Sequence, residues 1–332
     1  MTRIVFMGTP EFAVPILQTL LAHYEVVAVY TRADKPVGRG NQLVNSPVKE
    51  FALAHDLALE QPRTLRNGAE QHVMKSYQPD VILVAAYGMI LPKPILETPR
   101  WGCLNVHASL LPRWRGASPI PYAILHGDTE SGVTLMQMDA GLDTGAILTQ
   151  RGIPLAPNET ADTLTGKLAA LGAELVRDAL PAYLEGKLTP QPQDNARATM
   201  TSLIAKEDGQ IKWGKSAVFL ERMTRAYQPW PSAYANYRGE QLKILRASVL
   251  EYNPPEAPGV VLQIGKDIGV ATGKGVLLLH TIQLAGKRAM GADEFARGAK
   301  AFCCCTRFNS PANARWARTN LRAGSASLWA LF

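Results

Sequence analysis

Cysteine is scarce in this chain, and its four cysteines lack the spacing of a metal site. Cys303, Cys304 and Cys305 are consecutive, Cys103 stands apart, and no Cys-x-x-Cys pair occurs. Structural zinc sites commonly use such pairs. Cys103 lies in an apolar run, where a thiol acts as a small hydrophobic side chain. The sequence therefore predicts no metal site.

Long hydrophobic runs are also absent. The longest nearly apolar stretch, residues 81–91, is far shorter than the roughly 20 residues that a membrane helix needs. Residues 1–8 run directly into an apolar segment and lack the layout of a signal peptide. We therefore expect a cytoplasmic protein without membrane association.

A dinucleotide-binding fingerprint is missing as well. The turn at residues 8–11, Gly-Thr-Pro-Glu, lacks the pattern G-x-G-x-x-G and has Pro10 where the phosphate-binding turn would be. No internal repeat is present. The sequence therefore predicts no bound nucleotide.

Acidic residues are depleted only in the second part of the chain. Residues 1–200 have 17 Lys and Arg against 19 Asp and Glu, whereas residues 201–332 have 18 against 9. Residues 201–300 alone keep a net charge of +5. Such a basic segment is typical of proteins with a polyanionic partner, most often nucleic acid, although a mere gain in solubility stays open.

The chain is long enough for two domains, because single cores tend to stop growing at about 250 to 300 residues. In the first half, short β-branched runs alternate with helical stretches, which predicts an α/β domain with a Rossmann-like, doubly wound and mostly parallel sheet. The apolar run at 80–86 is typical of a strand buried on both faces. We expect strands at 3–7, 25–30, 80–86, 132–138 and 145–150, and helices at 10–22, 47–55 and 159–185.

The second half of the sequence has a different order of segments. Residues 188–205 are largely polar and contain two prolines, which predicts a linker. Beyond a helix at 216–226, evenly spaced strand-like runs at 234–245, 259–264, 268–271 and 276–282 favour a small OB-like β-barrel. The first of these runs indicates a hairpin with its turn at Arg238-Gly239. The predicted domains are 1–187 and 206–300, followed by an atypical tail at 301–332.

A polar motif interrupts the apolar first half at Asn105-Val106-His107. Residues two apart on a strand point to the same face, so Asn105 and His107 would lie side by side. Asp143 follows 36 positions after His107, in the acidic loop 139–145. An amide donor, an imidazole and a carboxylate are what transfer through a tetrahedral oxyanion needs.

Each of these three residues also has a structural interpretation. A lone histidine is usually a satisfied structural residue, asparagine at a strand end often caps a turn, and aspartate before Thr-Gly often forms one. The combination favours a catalytic site. In open α/β sheets such sites lie at the carboxyl ends of the strands, where Asn105, His107 and Asp143 are expected.

With these motifs, the chain resembles the bacterial methionyl-tRNA formyltransferases, a branch of the 10-formyltetrahydrofolate-dependent formyltransferases. The resemblance covers about residues 3–300. It depends on segments spread over both predicted domains: 6–15, 34–40, 46–49, 86–92, 105–116, 137–145, 229–231 and 285–290. The tail after about Lys300 departs from the family.

The resemblance implies an enzyme that moves a formyl group from 10-formyltetrahydrofolate to the α-amino group of methionine on initiator methionyl-tRNA. It implies catalytic roles for Asn105, His107 and Asp143. It also implies a folate-binding first domain, an OB-like tRNA-binding second domain, no metal or nucleotide, and no obligate protein partner. The residues implied in folate contact are Ser109, Leu110, Leu111 and Pro112.

Contact with tRNA is expected at basic residues in both domains. The segment 34–45 is longer than the two to six residues usual for such connections, and its Gly-Arg39-Gly tip suits phosphate contact, unless it is only a flexible loop. The other candidates are Lys206, Lys212, Lys215, Arg222, Arg225, Lys243, Lys287 and Arg288.

Two other functions stay open. A formyltransferase acting on a small amine, such as a nucleotide precursor or an amino sugar, would share the first domain but would not use a basic barrel. If the chain were a catalytically inactive tRNA-binding protein, replacing His107 by alanine would change neither formylation nor tRNA affinity. Formylation of charged initiator tRNA, compared with small amines, separates these functions.

Overall fold

The computed structural model describes residues 1–37 and 42–298, which divide into two compact units between Ile204 and Ala205. Arg39 and the tail 301–332 lie outside the described residues. The helices of the first unit are α1 (Val14–His23), α2 (Pro47–Ala54), α3 (Gly68–Ser76), α4 (Lys93–Leu96), α5 (Pro119–His126) and α6 (Ala161–Leu184). Its strands are β1 (Arg3–Gly8), β2 (Glu25–Tyr30), β3 (Lys35–Val37), β4 (Gln42–Val44), β5 (Leu59–Glu60), β6 (Val81–Ala85), β7 (Cys103–His107), β8 (Arg115–Gly116), β9 (Glu130–Gln137), β10 (Ile147–Pro154) and β11 (Met200–Thr201).

Seven of these strands form one sheet in the order β10-β9-β7-β6-β1-β2-β5. The pairs among β7, β6, β1, β2 and β5 are all parallel, whereas β9 and β10 are antiparallel. Every residue of β6 is buried, as expected for a central strand covered on both faces. The prediction of a mostly parallel, Rossmann-like sheet is confirmed.

Helix α6 covers the face of β7 that is opposite the polar motif. A Cβ added at Gly172 in α6 would lie 3.0 Å from Val106 and 3.3 Å from Ile16 of α1, so the helix approaches the strand closely where it lacks a side chain. Because neighbouring residues of a strand alternate between faces, Val106 faces the helix while Asn105 and His107 face away from it.

The segment after α6 packs on the first unit. Gln191 and Ile147 exchange two backbone hydrogen bonds of 2.8 Å, and β11 pairs in parallel with β8. Residues 188–204, which their composition predicts as part of a linker, are therefore held against the loops that follow β7 and β9. A free linker and a segment whose backbone is bound at a protein surface are both polar. Amino-acid composition therefore cannot distinguish between them.

The second unit is an antiparallel β domain with helices. Its strands follow the order β12-β13-β16-β15-β14, and β17 pairs with β16. The predicted hairpin turn is present at Arg238 and Gly239, whose φ angles of 53° and 87° suit a two-residue hairpin. The elements are α7 (Ala217–Ala226), α8 (Ala292–Gly298), β12 (Ala233–Tyr237), β13 (Glu240–Leu250), β14 (Val261–Ile264), β15 (Asp267–Ala271), β16 (Val276–Leu284) and β17 (Met290–Gly291).

Among the residues that the structure describes, no helix is both long enough and apolar enough to span a bilayer.

Candidate active site

Strand β7 carries two of the predicted catalytic residues at its carboxyl end. Asn105 pairs with Val84 on one side and with Met136 on the other, and His107 pairs with Thr134. These pairings fix where both side chains leave the sheet. His107 is almost fully buried, with 6% of its surface exposed, whereas Asn105 is half-buried.

Asp143 meets both side chains from the loop between β9 and β10. Its Oδ1 accepts a long hydrogen bond of 3.4 Å from Asn105 Nδ2, and its Oδ2 lies 3.7 Å from His107 Nδ1. Oδ2 also accepts a 2.8 Å hydrogen bond from the backbone N–H of Gly116. An ionised carboxylate only accepts hydrogen bonds, so Asn105 turns its NH2 group toward it. The structure thus brings the three predicted catalytic residues together.

The second nitrogen of His107 is occupied by the backbone. His107 Nε2 lies 2.9 Å from the carbonyl oxygen of Trp114. Because a carbonyl oxygen only accepts hydrogen bonds, Nε2 carries a proton, and Nδ1 is the nitrogen that gains or loses one. Nδ1 faces Asp143, so a proton gained there is placed beside the carboxylate.

An unusual backbone conformation at Trp114 directs its carbonyl oxygen toward His107 Nε2. Trp114 has a φ of 62°, in the left-handed region that costs a non-glycine residue about 1–3 kcal/mol. Hydrogen bonds at both ends of the residue hold it there, one from Trp114 N to Thr199 Oγ1 and one from Trp114 Nε1 to Asp128 Oδ2. Asp143, with a φ of 52°, shares this conformation.

The turn 109–112, predicted to contact folate, is fastened to the antiparallel strands. Thr134 Oγ1 donates to the carbonyl oxygen of Ser109 and accepts from the N–H of Leu111, and Gln150 Nε2 donates to the carbonyl oxygen of Leu111. Ser109 and Leu111 are buried, whereas Leu110 and Pro112 are half-buried. The Ser109 hydroxyl donates to the carbonyl oxygen of Arg113.

Gln193 is a site residue that the sequence did not reveal. Its Nε2 donates to the carbonyl oxygens of Asp143 and Gly145, and its Oε1 accepts from Arg115. Gln193 is 50 residues from Asp143 and belongs to the segment predicted as a linker. No local pattern signals such a contact, because it exists only once that segment packs on the loop.

The basic candidates of the second unit differ in their surroundings. Arg225 is half-buried and paired with Glu221 at 2.7 Å, and Arg288 is paired with Glu294 at 3.1 Å. Arg222 and Lys243 are half-buried. The lysines among the candidates that are exposed are Lys206, Lys212, Lys215 and Lys287.

The described residues contain neither a cluster of metal ligands nor a reactive thiol. Within residues 1–37 and 42–298, no three His, Cys, Asp or Glu side chains are arranged to hold a metal ion. Burial raises the pKa of the Cys103 thiol to about 12, so this thiol is uncharged at neutral pH.

Comparison with known proteins decides the family. The model of the formyl transferase family matches residues 2–180, and that of the formyl transferase C-terminal domain matches residues 203–300. The methionyl-tRNA formyltransferase of Myxococcus xanthus is 50% identical over 299 residues, which are 90% of this chain and 95% of the relative. The chain belongs to the methionyl-tRNA formyltransferase family.

Other relatives agree with this assignment. The methionyl-tRNA formyltransferase of Hydrogenovibrio crunogenus is 46% identical over 297 residues, or 89% of this chain and 95% of its own length. The resemblance predicted from the sequence motifs is therefore confirmed. The chain is a formyl-transferring enzyme, and the alternatives of a small-amine formyltransferase and an inactive tRNA-binding protein are not favoured.

Solved structures share the fold of this methionyl-tRNA formyltransferase family member. An N-formyltransferase from Helicobacter canadensis, solved with folinic acid and dTDP-3-aminofucose, has a TM-score of 0.62 and 20% identity, over 84% of this chain and 99% of its own. The methionyl-tRNA formyltransferase of Clostridium thermocellum has a TM-score of 0.51 and 18% identity, over 82% of this chain and 100% of its own. At these identities the likeness concerns the fold alone.

Proposed function

We propose that this enzyme takes the formyl group from 10-formyltetrahydrofolate and gives it to the α-amino group of methionine on initiator methionyl-tRNA, in the cytoplasm. We assign the chemistry to Asn105, His107 and Asp143. The observation that supports this assignment is the approach of the Asn105 amide and the His107 imidazole to one carboxylate at the end of β7.

The chain has surfaces that suit a folate at this sheet edge. Ile90, in the segment after β6, and Leu142, beside Asp143, are 76% and 58% exposed although both are large and apolar. β6 is the neighbour of β7 with Val84 opposite Asn105, so both strands end at the same edge. A flat heteroaromatic ring with polar edges needs such apolar faces beside fixed hydrogen-bonding groups. We assign further folate contacts to the turn 109–112, through its half-buried Leu110 and Pro112.

Asn105 is the donor for the oxygen of the formyl group. The folate supplies a formyl group bound to nitrogen, and transfer forms one C–N bond to the methionine amine and breaks another. As the amine attacks, the carbonyl oxygen gains negative charge. One N–H of Asn105 Nδ2 is directed to Asp143, and the other donates to this oxygen. Removing a comparable donor costs about 2.7–4 kcal/mol of barrier.

His107, with Asp143 beside it, transfers the proton from the attacking amine to the departing nitrogen. The attacking amine must lose a proton and the departing nitrogen must gain one, so the transfer has no net proton change. His107 Nδ1 accepts the first proton, because Nε2 is fixed as a donor to Trp114. Asp143 stabilises the resulting imidazolium, and Nδ1 then returns the proton to the departing nitrogen. A positioned acid–base group of this kind contributes about 100- to 10,000-fold.

The second unit provides phosphate contacts for the tRNA. Residues 201–300 have a net charge of +5, and positive side chains that contact phosphates bind nucleic acid without reading its sequence. Arg225 and Arg288 are engaged by carboxylates, so we assign this role first to Lys206, Lys212, Lys215 and Lys287. Arg39 remains a proposed contact to the acceptor end.

A transfer assay tests the proposal. Purified enzyme, 10-formyltetrahydrofolate and charged initiator tRNA should yield formylmethionyl-tRNA, whereas small amines should not be formylated. His107→Ala should remove most turnover while tRNA affinity stays within about twofold. His23→Ala, at the exposed end of α1, is the matched control and should behave as the wild type. Full turnover in His107→Ala would contradict the assigned chemistry.

A further inference from the structure

Gln193 contacts the backbone on both sides of Thr144 in the loop that carries Asp143. The two hydrogen bonds from Gln193 Nε2 measure 2.8 Å to the carbonyl oxygen of Asp143 and 2.7 Å to that of Gly145. One amide group thus uses both of its N–H donors on this short loop. The residue touches the backbone of Asp143 and leaves its carboxylate to Asn105, His107 and Gly116.

Arg115 determines which way the Gln193 amide points. Arg115 Nε and Nη2 donate to Gln193 Oε1 at 3.0 and 2.8 Å. A guanidinium group has no acceptor, so Oε1 faces Arg115 and Nε2 faces the loop. Arg115 is 5% exposed, and its other side-chain partner among the described residues is the amide oxygen of Asn195. A buried cation on one side of an amide strengthens the hydrogen bonds that the amide donates on its other side.

The loop depends on such bonds for its position. Asp143 has a φ of 52°, a conformation that persists in a non-glycine residue only when surrounding contacts hold it. A Cβ at Gly145 would overlap the carbonyl oxygen of Gln137, so the inner side of the loop touches the end of β9. On another side lies an open cleft of about 350 Å³, lined in part by Gln193 and Thr144. Hydrogen bonds rather than packing restrain the loop there.

We propose that Gln193 is a positioning residue that holds the Asp143 carboxylate at its place beside His107 Nδ1, with Arg115 orienting the Gln193 amide. The proposal deepens the function proposed above and rests on it. Displacing a catalytic group by about 1 Å can lower a rate by about a hundredfold. Gln193 therefore affects the rate of the transfer step rather than the binding of either substrate.

The substitution Gln193→Glu tests this role with almost no change of shape. A glutamate carboxylate has no N–H group for Asp143 and Gly145, and it is repelled by both carbonyl oxygens. It also forms an ion pair with Arg115, which preserves the link between the two residues. We expect kcat to fall about tenfold to a hundredfold, with the KM for methionyl-tRNA and for 10-formyltetrahydrofolate within about twofold of the wild type.

Asn195→Asp is the matched control. It places the same new charge against Arg115, but among the described residues no hydrogen bond joins Asn195 to the loop, so kcat should remain within about twofold of the wild type. Gln193→Met, which has neither donors nor charge, covers the case in which Gln193→Glu does not fold. It should lower kcat to a similar degree, and thermal unfolding of each variant identifies those that are folded.

The outcomes separate this proposal from the one on which it rests. A wild-type enzyme that transfers no formyl group would overturn both. An active wild type beside a folded Gln193→Glu or Gln193→Met variant with unchanged kcat would overturn the positioning role alone. The same result follows if Asn195→Asp loses as much kcat as Gln193→Glu, since Arg115 rather than the loop contacts would then be responsible.

Discussion

Asp143 combines three kinds of constraint in one residue. Its carboxylate is anchored by the N–H of Gly116, its carbonyl oxygen is bound by Gln193, and its φ of 52° lies in the left-handed region. A charge held in this way does not need to reorganise when a proton arrives at His107. Preorganised groups of this kind usually provide the largest electrostatic contribution to catalysis.

Removing the charge of Asp143 while keeping its shape should therefore lower the rate strongly. In Asp143→Asn, an amide oxygen can still accept from Gly116, but the imidazolium of His107 loses its counterion. We expect kcat to fall by about 1,000- to 10,000-fold, comparable to removal of the carboxylate from other His–Asp pairs. Formylation kinetics at saturating substrates provide the measurement.

The same loop offers a control for Asp143→Asn. Asp139 accepts from the N–H of Gly141 and from Thr144 Oγ1, and in the described part of the chain no hydrogen bond or ion pair joins it to His107. Asp139→Asn should thus keep kcat within about tenfold of the wild type, since it affects only the two hydrogen bonds within the turn. Equal losses in the two variants would mean that loop structure, not the Asp143 charge, controls the rate.

Cys103 should be chemically inert in the folded enzyme. The thiolate is the reactive form of cysteine, and burial raises the pKa of Cys103 to about 12. Iodoacetamide at pH 8 should leave Cys103 unmodified in the native state and modify it after denaturation, as read by peptide mass spectrometry. Rapid native labelling would show that β7 opens locally.

The raised pKa of Cys103 also determines how its contribution to the free energy of unfolding changes with pH. The unfolded thiol ionises near its ordinary pKa of 9.0, whereas the folded thiol does not. The contribution of Cys103 to the free energy of unfolding is therefore complete below about pH 9 and is lost as the pH rises toward 12.

At the scale of elements, the site depends on how α6 lies on β7. Val106 packs against the helix at Gly172. This contact sets the position of β7, and therefore of the Asn105 and His107 side chains on its opposite face. The helix begins at a capping box in which Thr160 and Thr163 satisfy each other's backbone N–H groups. Helix and strand thus act as one rigid support for the side chains of the proposed catalytic residues.

Two glycines of α6 provide a matched pair to test this support. Gly166 is exposed, and a Cβ there would have no atom within 4 Å, so Gly166→Ala should raise the free energy of unfolding by about 0.5–1 kcal/mol through helix propensity. At Gly172 the added Cβ meets Val106 at 3.0 Å. Overpacking costs about 1–3 kcal/mol, so Gly172→Ala should be destabilising. Urea unfolding measures both, and equal stabilisation would contradict the close approach.

At the scale of the whole molecule, charge separates the two units. The proposed catalytic residues lie in residues 1–200, which have a net charge of −2, whereas residues 201–300 have a net charge of +5. Chemistry and tRNA affinity should accordingly respond to different substitutions and to different solution conditions, because only the affinity depends on counterion release.

Replacing three exposed lysines of the second unit should weaken tRNA binding without stopping the transfer. We expect the variant Lys206→Gln, Lys212→Gln, Lys215→Gln to reduce the slope of log affinity against log salt by about two to three, because each phosphate contact contributes up to about 0.9. At saturating tRNA its kcat should remain near that of the wild type. A salt titration of tRNA binding is the measurement.

Three lysines of the first unit serve as the control for charge alone. The control variant combines Lys75→Gln, Lys93→Gln and Lys187→Gln, and it loses the same amount of charge. It should keep the wild-type slope of log affinity against log salt. If the slope changed equally in both variants, net charge rather than a defined surface would attract the tRNA.

Local patterns were sufficient for much of the fold. The apolar run 80–86 predicts the buried strand β6, and the spacing of Asn105 and His107 places them on one face of β7. The Arg238–Gly239 turn likewise needs only its immediate neighbours. Helices α3, α4, α5 and α8 are not predicted by these patterns. α5 begins with Pro119, and proline is tolerated only in the first turn of a helix, which makes such a start hard to tell from a loop.

The sequence by itself determined the family motifs, the alternation of strands and helices, and the residue types from which a transfer site can be made, because these depend on neighbours a few positions apart. Only the tertiary structure decided that Trp114 fixes the tautomer of His107, that Gly116 anchors Asp143, and that Gln193 donates to the backbone of the loop. These contacts join segments 7 to 50 residues apart, and their geometry arises only when the register of β7 and the path of residues 188–204 are set by packing.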